Sequence, residues 1–151
     1  MADEDRSLIP TIDVPDFEED SDEYDVEYRP SLAWDLEAGD FVRDGSNRVP
    51  MNDGLTAYQV WCVKTVATER YECLAYSDDL GTEMVDASQE EDLDAVELAI
   101  ERTIEEALLV NPRTLSVEDF EFEWNGSEVH VTFTVEATGE ETFTLDATID
   151  T

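Results

Sequence analysis

Apolar residues recur along this chain with two different periods. From Phe120 onward they fall on every second position: Phe120, Phe122 and Trp124; then Val129, Val131, Phe133 and Val135; then Phe143, Leu145, Ala147 and Ile149. A period of two puts one set of side chains on one face of a strand. Asn125-Gly126 separates the first two runs and Thr138-Gly139-Glu140 the last two, and both are hairpin signals. The pattern predicts a three-stranded antiparallel meander with one apolar face and an opposite face of Glu, Thr and Asp. Its terminal strand is expected to offer an open edge.

Upstream the period lengthens. Leu93, Val96, Ile100, Ile104, Ala107 and Leu108 form a helical stripe that Asn111-Pro112 ends, and Ser88 with Glu91 has the spacing of a capping box. A second helix is predicted over residues 55–71, with Ala57, Val60, Trp61, Lys64, Ala67 and Tyr71 along one face and Val63 and Val66 widening it. Before it, residues 31–36 and 40–42 suggest two short strands with turns at Ala38-Gly39 and Asp44-Gly45. The fold class that results is α+β: two main helices packed on a C-terminal three-stranded antiparallel meander, with a short N-terminal β region.

Residues 1–28 differ in kind from residues 29–151. A dense acidic run from Asp16 to Asp25 has too little apolar surface to offset ordering entropy and is expected to be disordered in isolation. Ahead of it, Leu8, Ile9, Pro10, Ile12, Val14 and Pro15 read as an extended segment able to dock on a neighbour, with the prolines keeping it out of helix. The expected division is an acidic extended arm followed by one folded domain.

Charge changes the picture more than composition does. Asp and Glu number 41 against 8 Lys and Arg, a formal net charge of -33. Unaided binding to nucleic acid or to an anionic membrane would meet a repulsive phosphate term. Lys64 is the single lysine. The bias resembles that of proteins from salt-accumulating organisms, where a screening length of about 3 Å at molar salt suppresses self-repulsion. The competing reading is an acidic surface made for one basic partner. No apolar run reaches the roughly 20 residues of a membrane span, and the start, Met1-Ala2-Asp3-Glu4-Asp5, lacks the basic region of a secretion signal.

Candidate chemistry is thin. With so many carboxylates, an acid pair at glycosidase-like separation carries no information. His130 stands alone on the polar phase of its strand and reads as a surface histidine. Neither a phosphate-binding glycine loop nor a metal-ligand spacing is present, so no catalytic residue, metal or cofactor is expected. Cys62 and Cys73 read as reduced, buried thiols, with a disulfide the lesser alternative. Trp61 and Trp124 fall on core spacing, whereas Trp34 on a short edge strand could face a partner.

Residues 68–84 place Arg70 among acids just before a turn. Ser77-Asp78-Asp79 with Gly81 suits a tight turn, with Asx bonding and a glycine free to take positive φ. Arg70 is expected to reach Asp78 or Asp79, since a guanidinium fork binds a carboxylate through two parallel hydrogen bonds. This makes Arg70 a structural brace rather than a catalyst.

Several segments together resemble a known family. Residues 29–41, 58–65, 68–71, 76–81, 105–113 and 116–124, in that order, are similar to the PBSX-type phage tail proteins. These belong to the small baseplate wedge proteins, or sheath initiators, of contractile tails. The family's Glu-Arg followed by a turn with Asp-x-Gly falls on Glu69, Arg70, Asp79 and Gly81, although Asp78 stands where relatives have proline. The resemblance implies a non-enzymatic baseplate protein of a phage or phage-like injection particle, assembled in the host cytoplasm. It would bind hub, tube and wedge proteins in a ring of about six copies acting through avidity. It would start sheath assembly by β-strand exchange. The strand expected to pair with the sheath protein is Thr142, Phe143, Thr144, Leu145, Asp146, Ala147, Thr148 and Ile149, with the arm as a tether. Two alternatives stay open: a tail-end or joining protein of a noncontractile virus, and a tail lysozyme-type glycosidase.

Overall fold

The computed structural model describes residues 30–35, 38–139 and 141–150. The arm residues Leu8, Ile9, Pro10, Ile12, Val14 and Pro15 lie outside them. The element order is β1 (Ser31–Leu32), β2 (Trp34–Asp35), β3 (Asp40–Phe41), β4 (Met51–Asn52), α1 (Gly54–Val66), α2 (Met84–Ala87), α3 (Leu93–Leu109), β5 (Thr114–Asn125), β6 (Glu128–Ala137) and β7 (Glu141–Asp150). The α+β architecture expected from the sequence is the one observed.

The sheet order β5-β6-β7 is an antiparallel meander. Val129, Val131, Phe133, Val135 and Ala137 of the central strand are all buried. Against them pack Val96, Ile100, Ile104 and Leu108 of α3 and Tyr58, Cys62 and Val66 of α1, forming one apolar core. The two-residue loop Gly126-Ser127 joins β5 to β6, with Asn125 opposite Glu128. Gly126 takes φ +74, the left-handed conformation that such a turn requires of a residue without Cβ.

The N-terminal region forms two small antiparallel ladders, β1 with β4 and β2 with β3. Trp34 does not stand free for a partner. Its ring meets Phe41 edge-on at 4.9 Å, and the Lys64 ammonium lies 4.6 Å from its centroid. The single lysine thus ties α1 to this ladder through a cation–π contact.

The helices depart from expectation at their ends. Instead of reaching Tyr71, α1 stops at Val66, and Tyr71 is exposed at φ +69. The Thr68 hydroxyl donates to the Lys64 carbonyl, and the chain then turns to meet residues 81–83. The face of α1 that is buried runs through Ala57, Tyr58, Val60, Cys62, Thr65 and Val66, and Ala67 is exposed. Ser88 does not cap α3. It closes α2, its hydroxyl bonded to the Val85 carbonyl, and α3 begins after Asp92 with Leu93 exposed.

Candidate functional site

Between the end of α1 and the start of α2, the chain forms a brace that the sequence only partly foretold. Glu69 and Thr82 form a parallel bridge, in which the Arg70 amide donates to the Thr82 carbonyl at 2.8 Å and the Thr82 amide to the Thr68 carbonyl at 2.9 Å. The Thr82 hydroxyl, fully buried, donates to the Val66 carbonyl at 3.0 Å. These bonds satisfy backbone groups that the end of α1 leaves without helical partners.

Arg70 crosses this bridge. Its Nε and Nη2 donate to the Gly81 carbonyl at 3.1 and 2.9 Å, and its Nη1 reaches Glu83 Oε1 at 3.2 Å. Its partners are therefore Gly81 and Glu83 rather than Asp78 or Asp79, which are exposed in the turn. The cause is proximity: the bridge carries residues 81–83 directly across Arg70. Gly81 has φ +105, and a Cβ there would lie 2.6 Å from the Thr68 carbonyl oxygen, so close pairing demands glycine. The Glu69 carboxylate accepts the Met84 amide at 3.1 Å, and the Glu83 amide donates to Thr103 Oγ1 of α3 at 2.8 Å. The brace thus ties α1, α2 and α3 together. Glu69 and Arg70 both have structural bonds, and sequence reasoning missed Thr82, Glu83 and Thr103 because their partners lie 13 to 20 positions away in hydrogen-bonded contacts.

The sheet has two edges, and they differ. On β5 the register with β6 shifts between Thr114 and Ser116 and again between Glu118 and Glu121, with Asp119 at φ +56 in the second irregularity. Glu118, Asp119, Glu121 and Glu123 are all exposed along that strand. Bulges and charge are means by which edge strands resist added partners. On β7 every residue from Glu141 to Asp150 pairs with β6 without interruption. Its exposed residues Thr142, Thr144, Asp146 and Thr148 form a row with one carboxylate, and Glu141 is exposed at the start of the strand.

The two-residue hairpin fixes which backbone groups β7 leaves open. Asn125 and Glu128 form the hydrogen-bonded pair that closes such a loop, so even-numbered residues of β6 bond to β5 and odd-numbered ones to β7. The amides and carbonyls of Thr142, Thr144, Asp146 and Thr148 consequently point away from the sheet. Phe143, Leu145, Ala147 and Ile149 join the core side, as expected.

A groove of about 320 Å³ runs beside this edge. Val63 and Val66 of α1, Ala67 just beyond its end and Met84 of α2 form one wall, residues 145–149 of β7 the other, and Phe133 the floor. Glu69 and Glu72 are its charged residues on the brace side, and Asp146 borders it on the β7 edge. Thus the brace holds one wall of the groove and β7 supplies the other.

His130 lies opposite Thr148 and shares a hydrogen bond with its hydroxyl at 3.1 Å. Trp124 Nε1 donates to Glu97 on α3 at 2.7 Å, so this tryptophan is a packing residue with a satisfied polar tip. Cys62 is buried, and desolvation pushes its thiol up to about 12; Cys73, against expectation, is exposed, and both are free. Among the described residues no group of His, Cys, Asp and Glu could hold a metal, and no helix is long and apolar enough to cross a membrane.

The family model of the contractile injection system sheath initiator matches residues 31–141. The chain belongs to that family. This sheath initiator is 32% identical over 145 residues to the phage-like element PBSX protein XkdS of Bacillus subtilis strain 168, covering 95% of this chain and 96% of that one. Among solved structures, it is similar to a chain of the 6-fold symmetrised cryo-EM structure of the anti-feeding prophage (AFP) baseplate. That likeness has a TM-score of 0.49 and 19% identity, and it covers 79% of this chain and 84% of the other. The family model and the Bacillus relative bear out, at the level of family, the resemblance read from the Glu69-Arg70 turn and the flanking segments.

Proposed function

We propose that this sheath initiator is a non-enzymatic baseplate component that starts sheath polymerisation by adding a strand of the sheath protein to β7. The observation that carries this reading is the contrast between edges: β7 pairs without interruption and its outward row is mostly threonine, while β5 is bulged and acidic. An edge of the first kind is suited to β-augmentation, where main-chain hydrogen bonds give affinity and alternate side chains give specificity. The family match ends at the first residue of β7, so the role of that strand rests on its geometry. Hub, tube and wedge proteins are the other expected neighbours, with the arm of residues 1–28 as a tether. A ring of about six copies would make the contacts collective. The acidic composition favours a high-salt host.

A glycosidase reading finds little support. Glu69, the acid that the resemblance singles out, lines the groove, but its carboxylate is engaged by the Met84 and Val85 amides of α2.

The test is Thr144→Pro. Proline removes an outward amide without taking a hydrogen bond from β6. In a reconstituted baseplate, the variant is expected to attach to the hub while sheath polymerisation falls to background. Full-length sheaths on that baseplate would refute strand exchange at β7.

A further inference from the structure

Resting on β7 as the pairing edge, we infer that the adjacent groove is a pocket that selects the incoming strand, which must carry one large apolar residue flanked by lysine or arginine. A strand added to β7 lies about 4.8 Å beyond it, over the mouth of the groove. Every second side chain of that strand points toward the helices. One of these meets Val63, Val66 and Met84 with Phe133 beneath, a wall that holds a leucine- or phenylalanine-sized group out of water.

Charge fixes the neighbours of that anchor. Residues flanking it point to the opposite face of the sheet, where Asp146 stands exposed between Leu145 and Ala147. Opposite charges facing each other across adjacent strands attract, and like charges repel. At the groove itself, Glu72 is exposed and adds charge of the same sign. The nearby guanidinium of Arg70 does not neutralise it, being bonded to the Gly81 carbonyl and Glu83. The occupant is therefore a basic-apolar-basic strand of another protein. The chain's own arm offers Ile12-Asp13-Val14, which alternates apolar residues with an acid and brings the wrong sign to Asp146.

The test titrates the isotope-labelled full chain with four synthetic octapeptides, followed by amide chemical shifts. One is polythreonine with a central Lys-Leu-Lys; two controls replace its Leu by Ser or both Lys by Glu; the fourth has the sequence of residues 8–15. The first peptide is expected to shift Thr144, Asp146 and Thr148 together with Ala67 and Met84. Each control is expected to bind about tenfold more weakly. Ala67→Trp, which fills the groove from an exposed position, is expected to abolish the advantage of Leu over Ser while β7 still responds. Shifts confined to β7 and indifferent to Leu or Lys would overturn the pocket and leave strand addition standing. Tightest binding by the peptide of residues 8–15 would give the pocket to the chain's own arm and overturn a foreign basic strand. No shift with any peptide would overturn both the pocket and the pairing edge.

Discussion

The brace and β7 face each other across one groove, yet they treat their backbone polar groups in opposite ways. Where residues 66–70 meet residues 81–84, carbonyls and amides find partners within the chain: Thr82 to Val66 and Thr68, Arg70 to Thr82 and Gly81, Glu83 to Thr103. Along β7, the row at Thr142, Thr144, Asp146 and Thr148 faces outward from an unbroken ladder. The irregular segment is closed and the regular one is open. Substitutions in the brace should therefore cost stability, whereas substitutions on the outer row of β7 should cost assembly.

The largest effect is expected from Gly81→Val. Positive φ and contact with the Thr68 carbonyl both oppose a branched side chain, and the loss should be about 4 kcal/mol in urea unfolding. A loss below about 1 kcal/mol would mean that the brace is looser than its geometry. Arg70→Ala should cost about 3 kcal/mol, since the Arg70 side chain is only 12% exposed and its loss leaves the Gly81 carbonyl without its donors. Arg70→Lys should recover part of that, because ammonium keeps the charge but not the fork. If melting of the alanine variant in high salt matches the parent, the brace does not stabilise the domain.

Alkaline pH probes α1, the wall shared by the two regions. The thiol of Cys62 stays protonated in the folded chain to about 12, while in the unfolded chain it ionises around 9.0. Above that pH the unfolded state binds fewer protons, so stability should fall as pH rises, by up to about 1.4 kcal/mol per unit. Below it, both states are protonated and the group contributes no slope. Cys62→Ala should flatten this part of the profile, and an unchanged slope would assign it to other groups.

Thr144→Pro should cost about 1 kcal/mol, the mild end of edge-strand substitutions, despite the assembly defect expected of it. An unfolded variant would mean that Thr144 bonds inward. The smallest effect is expected from Glu123→Thr on β5, within about 0.5 kcal/mol and without change in sheath assembly. Loss of assembly there would make β5, not β7, the working edge.

The meander was legible in the sequence because its period of two is a local property, and β6 shows it at every position from Val129 to Ala137. The core stripe of α3 was legible for the same reason. What escaped was decided across the chain. Tyr71 has good helical spacing, but the bridge between Glu69 and Thr82 pulls the backbone out of helix five residues earlier. Ser88 and Glu91 have capping spacing, yet the short α2 takes Ser88 for its own end. The partners of Arg70 depend on which residues the bridge brings alongside. The irregularity at Asp119 left no sequence mark, since aspartate takes the left-handed region without a glycine to announce it.

The two cysteines have a practical consequence. Cys62 is enclosed and remains in the unreactive thiol form through neutral pH, whereas Cys73 lies on the surface next to Glu72 at the groove. The thiolate is the nucleophile, so a maleimide at neutral pH should modify Cys73 alone in the native chain. The molecule thus carries a natural address for one fluorophore or spin label. A dye at that address would report the arrival of a strand in real time, without altering either wall.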